Sequence, residues 1–210
     1  NLIPAPFINN LNTEIYPNKL KDSHAIEKPD VLIAGCGTGR QPIASAKAYK
    51  GASVLAVDLS LASLSYAKRR ANELKIRNIQ FLQADILDLA KLDKSFDVIE
   101  CAGVLHHMNE PVEGWRVLVD QLKPGGFMKI GLYSEHARQH IVAARSMIKD
   151  QGYESTVDGI RQCRKAIFKL PKQDKVKRVK TSKDFYSTST VGDLIFHVQE
   201  QRFTIPQLSE

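Results

Sequence analysis

Cysteine is scarce in this 210-residue chain, with only Cys36, Cys101 and Cys163. Three thiols this far apart make neither a disulfide framework nor a zinc site, and a reducing, cytoplasmic compartment is the resulting expectation. No apolar run approaches the ~18–20 residues of a membrane span, and no basic-then-apolar leader opens the chain. Internal repeats and low-complexity stretches are also missing. The chain opens on Asn1 rather than Met, so it reads as a piece of a longer protein. What is present is ordinary for one globular domain: 43% hydrophobic and 25% charged residues. Acidic residues are short in one place. Between Arg161 and Lys183 there are ten Lys or Arg and one acid, Asp174. The rest of the chain keeps 20 of 30 bases and 22 of 23 acids, so the net charge of +7 is local.

Strand-like and helix-like segments alternate from about 30 to 150. Expected strands are 30–34, 53–57, 79–82, 96–101 and 127–133. Between them lie expected helices at 42–50, 61–75 and 111–122, and a short turn near 86–91. Ser60 suits an N-cap for the second of these helices, with Leu61, Leu64, Ala67 and Ala71 at helical spacing. Lys123-Pro-Gly-Gly126 is a stop signal before the last strand. This order predicts a Rossmann-like, doubly wound and mostly parallel sheet with helices on both faces. After Tyr133 the alternation stops. Helices are expected at 135–151, 158–170 and 191–201, with a Lys- and Ser/Thr-rich loop over 171–190. The expected organisation is an extended, proline-punctuated lead-in at 1–29, a core at 30–134 and a helical, basic C-terminal region at 135–210.

The first strand runs into three alternating glycines, "VLIAGCGTG", Gly35, Gly37 and Gly39. A dinucleotide fingerprint needs a further glycine where Arg40 stands, and a phosphate-cradling loop needs Gly-Lys-Ser/Thr where the chain has Gly39-Arg40-Gln41. The second strand ends in "LAVDLS" with Asp58, an acid placed to accept from both hydroxyls of a ribose. The third ends in "FLQADIL" with Asp85, which is positioned to accept from an exocyclic amine. Either acid alone reads equally well as a helix cap.

Together "VLIAGCGTG", "LAVDLS", "FLQADIL", "FDVIECAGVLHHM" and "LKPGGFMKIGLYS" resemble the class I S-adenosylmethionine-dependent methyltransferases, from about Val31 to Tyr133. The stretches "EIYPN", "YSEHAR" and "DLIFHVQEQRFTIPQL" are similar to a bacterial branch in which this domain can accompany tetratricopeptide repeats. The resemblance implies that Gly35, Cys36, Gly37 and Gly39 admit the methionine part of S-adenosylmethionine. By the same carry-over Asp58 holds the ribose and Asp85 the adenine, Leu59 and Ile86 pack on the adenosine, and Cys101, Ala102 and Gly103 line the methionine side. Cys36 would be a small loop residue and not a nucleophile.

In-line displacement at a sulfonium needs no metal, and none is expected. Its main demand is alignment, which supplies up to ~7–11 kcal/mol of the barrier. His106 and His107 follow the fourth strand and are candidates for taking a proton from the acceptor, His107 ahead of His106. Tyr133 and Tyr16 are weaker candidates. The expected acceptor is a small molecule, because no Asn/Asp-Pro-Pro-Tyr/Phe motif and no Pro-Cys nucleophile is present. Two alternatives stand: an RNA methyltransferase using the basic segment 161–183, and a cofactor-binding module without catalysis. Phe168 is the one aromatic well inside that segment, a thin basis for stacking bases. The family's sheet usually closes with an antiparallel hairpin. Only Phe203-Thr-Ile205 suggests a strand here, so the missing strands are expected beyond the ends, or the C-terminal helices to cap the acceptor site.

Overall fold

Side chains that alternate along one strand build two different layers here. In the computed structural model, which describes residues 5–14, 26–197 and 199–209, β1 (Asp30–Ala34) sends Val31 and Ile33 to one face of the sheet and Leu32 and Ala34 to the other. All four are buried, as a strand covered on both faces requires. The elements that follow are α2 (Arg40–Ala48), β2 (Ser53–Asp58), α3 (Leu61–Glu73), β3 (Ile79–Gln83) and β4 (Phe96–Ala102). Then come α4 (Pro111–Asp120) and β5 (Leu122–Gly131). The five strands form one sheet in the order β3-β2-β1-β4-β5, every pair parallel. The chain order reverses beside β1, and ligands of open α/β sheets bind at such switch points, at the carboxyl ends of the strands.

One face packs Val31, Ile33, Val54, Ala56 and Val98 against Tyr49 at the end of α2 and Leu64 of α3. The other packs Leu32, Val57, Ile99 and Cys101 against Leu118 of α4 and Leu89 of a 3₁₀ turn, Leu87–Lys91. The Ser60 side chain accepts from the Ser63 N–H at 3.2 Å, so the expected N-cap of α3 is formed. At the amino ends of the strands, Lys123 Nζ donates to Asp97 (2.9 Å) and Asp30 (3.1 Å), clamping β1, β4 and β5 away from the site.

Four expectations are corrected. The lead-in is not wholly extended: α1 (Phe7–Glu14) is helical because Phe7, Ile8 and Leu11 give it an apolar side. Phe7 lies edge-on to Tyr49, with ring centroids 5.0 Å apart, and the Asn10 amide donates to the Ala48 carbonyl at 3.2 Å. The Lys-Pro-Gly-Gly segment does not precede β5 but bulges within it. Leu122 pairs with Phe96, the register then jumps to Phe127 with Val98, and the strand ends at Gly131. Residues 171–190 contain two 3₁₀ turns, Val176–Thr181 and Lys183–Tyr186, because Val176, Val179 and Phe185 are buried. Finally, the strand suggested at Phe203-Thr-Ile205 does not form: Phe203 makes a single bridge to Ser134, and residues Ile205–Ser209 are a short helix, α8.

The chain divides into two compact units after Leu132. In the second, α5 (Gln139–Asp150), α6 (Val157–Lys169) and α7 (Thr188–Ile195) surround a separate core built on Ile141, Cys163, Ile167, Phe185 and Ile195. The helix expected at 191–201 begins earlier and stops at Ile195. Much of the basic segment is used inside this unit. Arg164 donates to the Tyr186 carbonyl and lies over the Phe185 ring, Lys177 donates to the Leu170 carbonyl, and Lys180 lies over Phe168. Among the described residues, no helix is long and apolar enough to cross a membrane.

Candidate functional site

The three loop glycines all have positive φ: +75° at Gly35, +51° at Gly37 and +90° at Gly39. They are not equivalent. A Cβ on Gly35 would stand 2.1 Å from Val104 Cγ2, and one on Gly39 would stand 2.6 Å from Ala67 Cβ of α3. In those two the missing Cβ leaves room for the protein itself, and Gly35 also lines both of the clefts described next. A Cβ on Gly37 would meet nothing within 4 Å. Of the three loop glycines, Gly37 is the one that combines the left-handed backbone with open space, which narrows the expectation that all three face a ligand. Gly39 is accounted for by its contact with α3.

Two clefts adjoin at Gly35. The first, about 560 Å³, is lined by Asp58, Leu59, Asp85, Ile86, Val104 and His107, with Glu110 and Glu113 of α4 at its side. The second, about 760 Å³, is lined by Gly37, Arg40, Gln41, Glu100, Ala102 and Lys129, with Asn10 and Thr13 of α1. Both volumes fall in the usual range for small-molecule sites.

Asp58 ends β2 and faces the loop. Its Oδ2 accepts from the Gly37 N–H at 2.7 Å and its Oδ1 from the Ser60 N–H at 2.9 Å. A carboxylate has about four lone-pair directions, so two hydrogen bonds leave capacity for a ligand. Asp58 therefore sets the loop's shape and also lines the first cleft. Asp85 Oδ1 accepts from the Leu87 N–H at 2.9 Å, so it does cap the following turn, while also lining the first cleft. Leu59 is 66% exposed at this cleft, its carbonyl held by the Gln83 amide at 3.0 Å. An exposed leucine beside two acids suits a flat apolar ligand face with polar edges. Ile86 is buried and lines the same cleft.

The histidines separate. His107 lines the first cleft. His106 is wholly buried and lines neither cleft, so it is corrected from a catalytic candidate to a core residue. The two rings lie 4.2 Å apart, inclined at 63°. Cys101 is corrected in the same way. Alternation along β4 puts Glu100 and Ala102 towards the second cleft and turns Cys101 into the opposite core. Gly103 has φ +81° and donates to the Gly131 carbonyl at 3.4 Å. Tyr133 belongs to the second unit, where the Arg138 guanidinium lies 3.7 Å over its ring. Tyr16 lies outside the described residues.

The thiols are unreactive by environment. Burial, and then the Asp58 carboxylate, push the Cys36 thiol up to about 12. Burial alone raises Cys101 to about 12 and Cys163 to about 11. Among the described residues, no group of three or more His, Cys, Asp or Glu is placed to hold a metal.

Sequence reasoning missed Glu100. It is 4% exposed, and its carboxylate accepts from Gln41 Nε2 (2.7 Å), Ser45 Oγ (3.1 Å) and Tyr49 Oη (2.6 Å). The signal was available: a glutamate inside "FDVIECA", an otherwise apolar central strand, has to be satisfied by something.

A parallel sheet with a glycine loop at its switch point and acids closing the next two strands is a Rossmann-like fold with a candidate ligand site at its strand ends. Residues 31–126 match the family model described as a methyltransferase domain. An uncharacterised protein of a Synechococcus species is 32% identical over 155 residues, 72% of this chain and 37% of that protein. The ubiquinone biosynthesis O-methyltransferase of Paracidovorax citrulli is 32% identical over 114 residues, 54% of this chain and 47% of that enzyme. The chain thus spans less than half the length of these two curated relatives. In overall fold it is similar to PKMT2 from Rickettsia typhi, with TM-score 0.70 at 24% identity over 87% of this chain and 37% of that one. The same protein in complex with AdoHcy gives TM-score 0.68 at 22% identity, over 84% of this chain and 36% of that one.

Proposed function

We propose that this protein transfers the methyl group of S-adenosylmethionine to a small-molecule acceptor. The observation that carries the reading is Gly37: its backbone is left-handed, its Cβ direction is empty, and Asp58 holds its N–H beside two acid-lined strand ends. S-adenosylmethionine supplies a methyl group already on a good leaving group. The chain's part is to bind and to align. Gly35 and Gly37 admit the methionine portion, with Ala102 and Gly103 at the end of β4. Asp58 accepts from the ribose hydroxyls, Asp85 from the adenine amine, and Leu59 and Ile86 pack on the adenosine. His107 takes the acceptor's proton where the acceptor carries one, an effect typically worth ~10²–10⁴-fold. For the acceptor class, the similarity to an O-methyltransferase of ubiquinone biosynthesis is the supporting observation.

Calorimetric titration with S-adenosylmethionine and, separately, NAD tests the cofactor. Micromolar binding of the first and none of the second is expected. Folded protein that binds NAD, or binds neither, removes the reading. Turnover of radiolabelled cofactor with small-molecule extract fractions tests the acceptor. Cofactor binding without any turnover in extract or RNA would favour a module that binds without catalysing.

A further inference from the structure

The second unit carries an aromatic patch that none of the roles above uses. Phe168 is 43% exposed and Tyr186 56% exposed, and both adjoin Phe185, which is fully buried. Ring centroids are 5.5 Å apart for Phe168 and Phe185, and 5.7 Å apart for Phe185 and Tyr186. Hydrogen bonds tie the patch into one surface. The Arg164 guanidinium of α6 donates to the Tyr186 carbonyl at 3.2 Å, and the Tyr186 hydroxyl donates to the Lys180 carbonyl at 3.1 Å. The fold therefore positions these rings without a ligand. Large apolar side chains exposed together mark interaction sites in a way that scattered ones do not.

Positive charge surrounds the rings. Lys165 is exposed and shares a face of α6 with Phe168, three residues on, and with exposed Lys169, four residues on. In the turn Lys183–Tyr186, side chains three apart eclipse, so Lys183 stands beside Tyr186. Lys180 Nζ lies 4.7 Å from the centroid of the Phe168 ring. The acids nearby are already engaged: Asp174 accepts from the Val176 N–H at 2.8 Å, and Asp184 from the Ser182 hydroxyl at 3.3 Å. Cations alone would suit any polyanion, an acidic peptide included. Exposed flat rings set among them suit a polyanion that also presents flat apolar faces. Single-stranded nucleic acid has both, because its phosphates repeat along the strand and its unstacked bases lie on aromatic rings whatever the sequence. We propose that this face of α6 and the turn Lys183–Tyr186 bind single-stranded nucleic acid, with Phe168 and Tyr186 stacking on bases and Lys165, Lys169 and Lys183 meeting phosphates. Nothing in this surface depends on the cofactor reading.

Anisotropy of a labelled oligouridylate of about 12 nucleotides, titrated with the whole chain at low salt, tests the proposal. Inorganic polyphosphate and polyglutamate of similar length serve as competitors that carry charge without bases. The wild-type protein should bind the oligouridylate about fivefold or more tighter than either, the scale of one stacked base. Phe168→Leu and Tyr186→Leu keep an apolar side chain against Phe185 and remove the flat face. Each should weaken the oligouridylate about fivefold and leave polyphosphate within about twofold. Lys165→Ala should weaken both and lower the slope of log affinity against log salt by about 0.7. Unchanged oligouridylate affinity in both leucine variants would overturn the proposal. If those variants do not fold, the wild-type comparison decides alone. Polyphosphate bound as tightly as the oligouridylate would show a surface that reads charge only, and polyglutamate bound as tightly would show a docking face for acidic protein; either overturns it. Wild-type protein that binds no oligouridylate at low salt overturns it as well. None of these measurements needs S-adenosylmethionine, so failure here and failure of the cofactor reading are told apart.

Discussion

Alanine at position 37 separates the cost of a backbone conformation from the cost of losing a ligand. At φ +51° an L-residue costs ~1–2 kcal/mol, and with nothing within 4 Å of the new Cβ no steric penalty is added. Gly37→Ala should therefore remain folded, about 1–2 kcal/mol less stable than the wild type. At Gly39 the same change adds a Cβ 2.6 Å from Ala67 Cβ and 2.9 Å from its Cα, in a helix whose residue 67 is fully buried. Overpacking of ~1–3 kcal/mol then joins the conformational cost, for about 2–5 kcal/mol. Ligand dependence reverses this ranking. S-adenosylhomocysteine at 100 times its Kd adds about 2.7 kcal/mol to wild-type stability. If the new methyl group in the second cleft weakens binding tenfold, the same concentration adds only about 1.4 kcal/mol to Gly37→Ala. Urea unfolding with and without ligand measures both quantities. Gly39→Ala should lose more stability but keep the wild-type ligand increment. A full 2.7 kcal/mol increment in Gly37→Ala would show that this glycine faces no ligand, and the site as built here would fail.

Asp58→Ala should cost roughly 1–3 kcal/mol of stability, because the Gly37 and Ser60 N–H groups lose a charged acceptor, and should weaken cofactor binding at least about tenfold; unchanged affinity by calorimetry removes the ribose assignment. His107→Ala should lower methyl transfer ~10²–10⁴-fold with cofactor affinity unchanged, whereas His106→Ala should act on the unfolding midpoint, since that ring is wholly buried. Cys36 should resist iodoacetamide at pH 8 in the folded protein, because a thiol raised to about 12 is almost entirely protonated there; fast labelling would contradict the burial on which that shift depends. Burial first, and then the Arg178 and Arg138 charges, hold His140 below its ordinary 6.5. The unfolded chain therefore takes up this proton first, so stability should fall as pH drops through 6.5 and level off below the folded value; His140→Gln should flatten that limb of a thermal unfolding series.

The sheet was largely legible because its signals are local. The glycine loop, the acids after β2 and β3, and the Ser60 cap are set by short stretches of backbone chemistry, and each was found where it was expected. What escaped depends on partners far along the chain. Phe7, Ile8 and Leu11 become the inner side of a helix only because Tyr49 and Phe127 lie opposite, and the prolines around them read as extended chain. Val176, Val179 and Phe185 stand among lysines and serines, and the core formed with α5, α6 and α7 is what folds that segment into turns. Gly35, Gly37 and Gly39 look alike in sequence. Only Val104 and Ala67, 69 and 28 residues downstream of Gly35 and Gly39, distinguish the packed glycines from the open one.

The same distinction bears on how the binding surface is kept in shape. Asp58 fixes the loop from β2 through the Gly37 N–H, while Glu100 on β4 gathers Gln41, Ser45 and Tyr49 from the helix that leaves it. The loop is thus held on both sides by carboxylates whose hydrogen bonds come from neutral groups. Each acid is engaged before any ligand arrives, so neither has to be reorganised on binding, and Asp58 keeps lone-pair capacity for a donor from outside. Pre-organised acceptors of this kind lower the ordering cost of association. They also couple the loop's shape to the sheet: loss of either carboxylate should loosen the glycine loop. For that reason a substitution at Asp58 or Glu100 has to be judged by differences between ligands, and not by a single affinity.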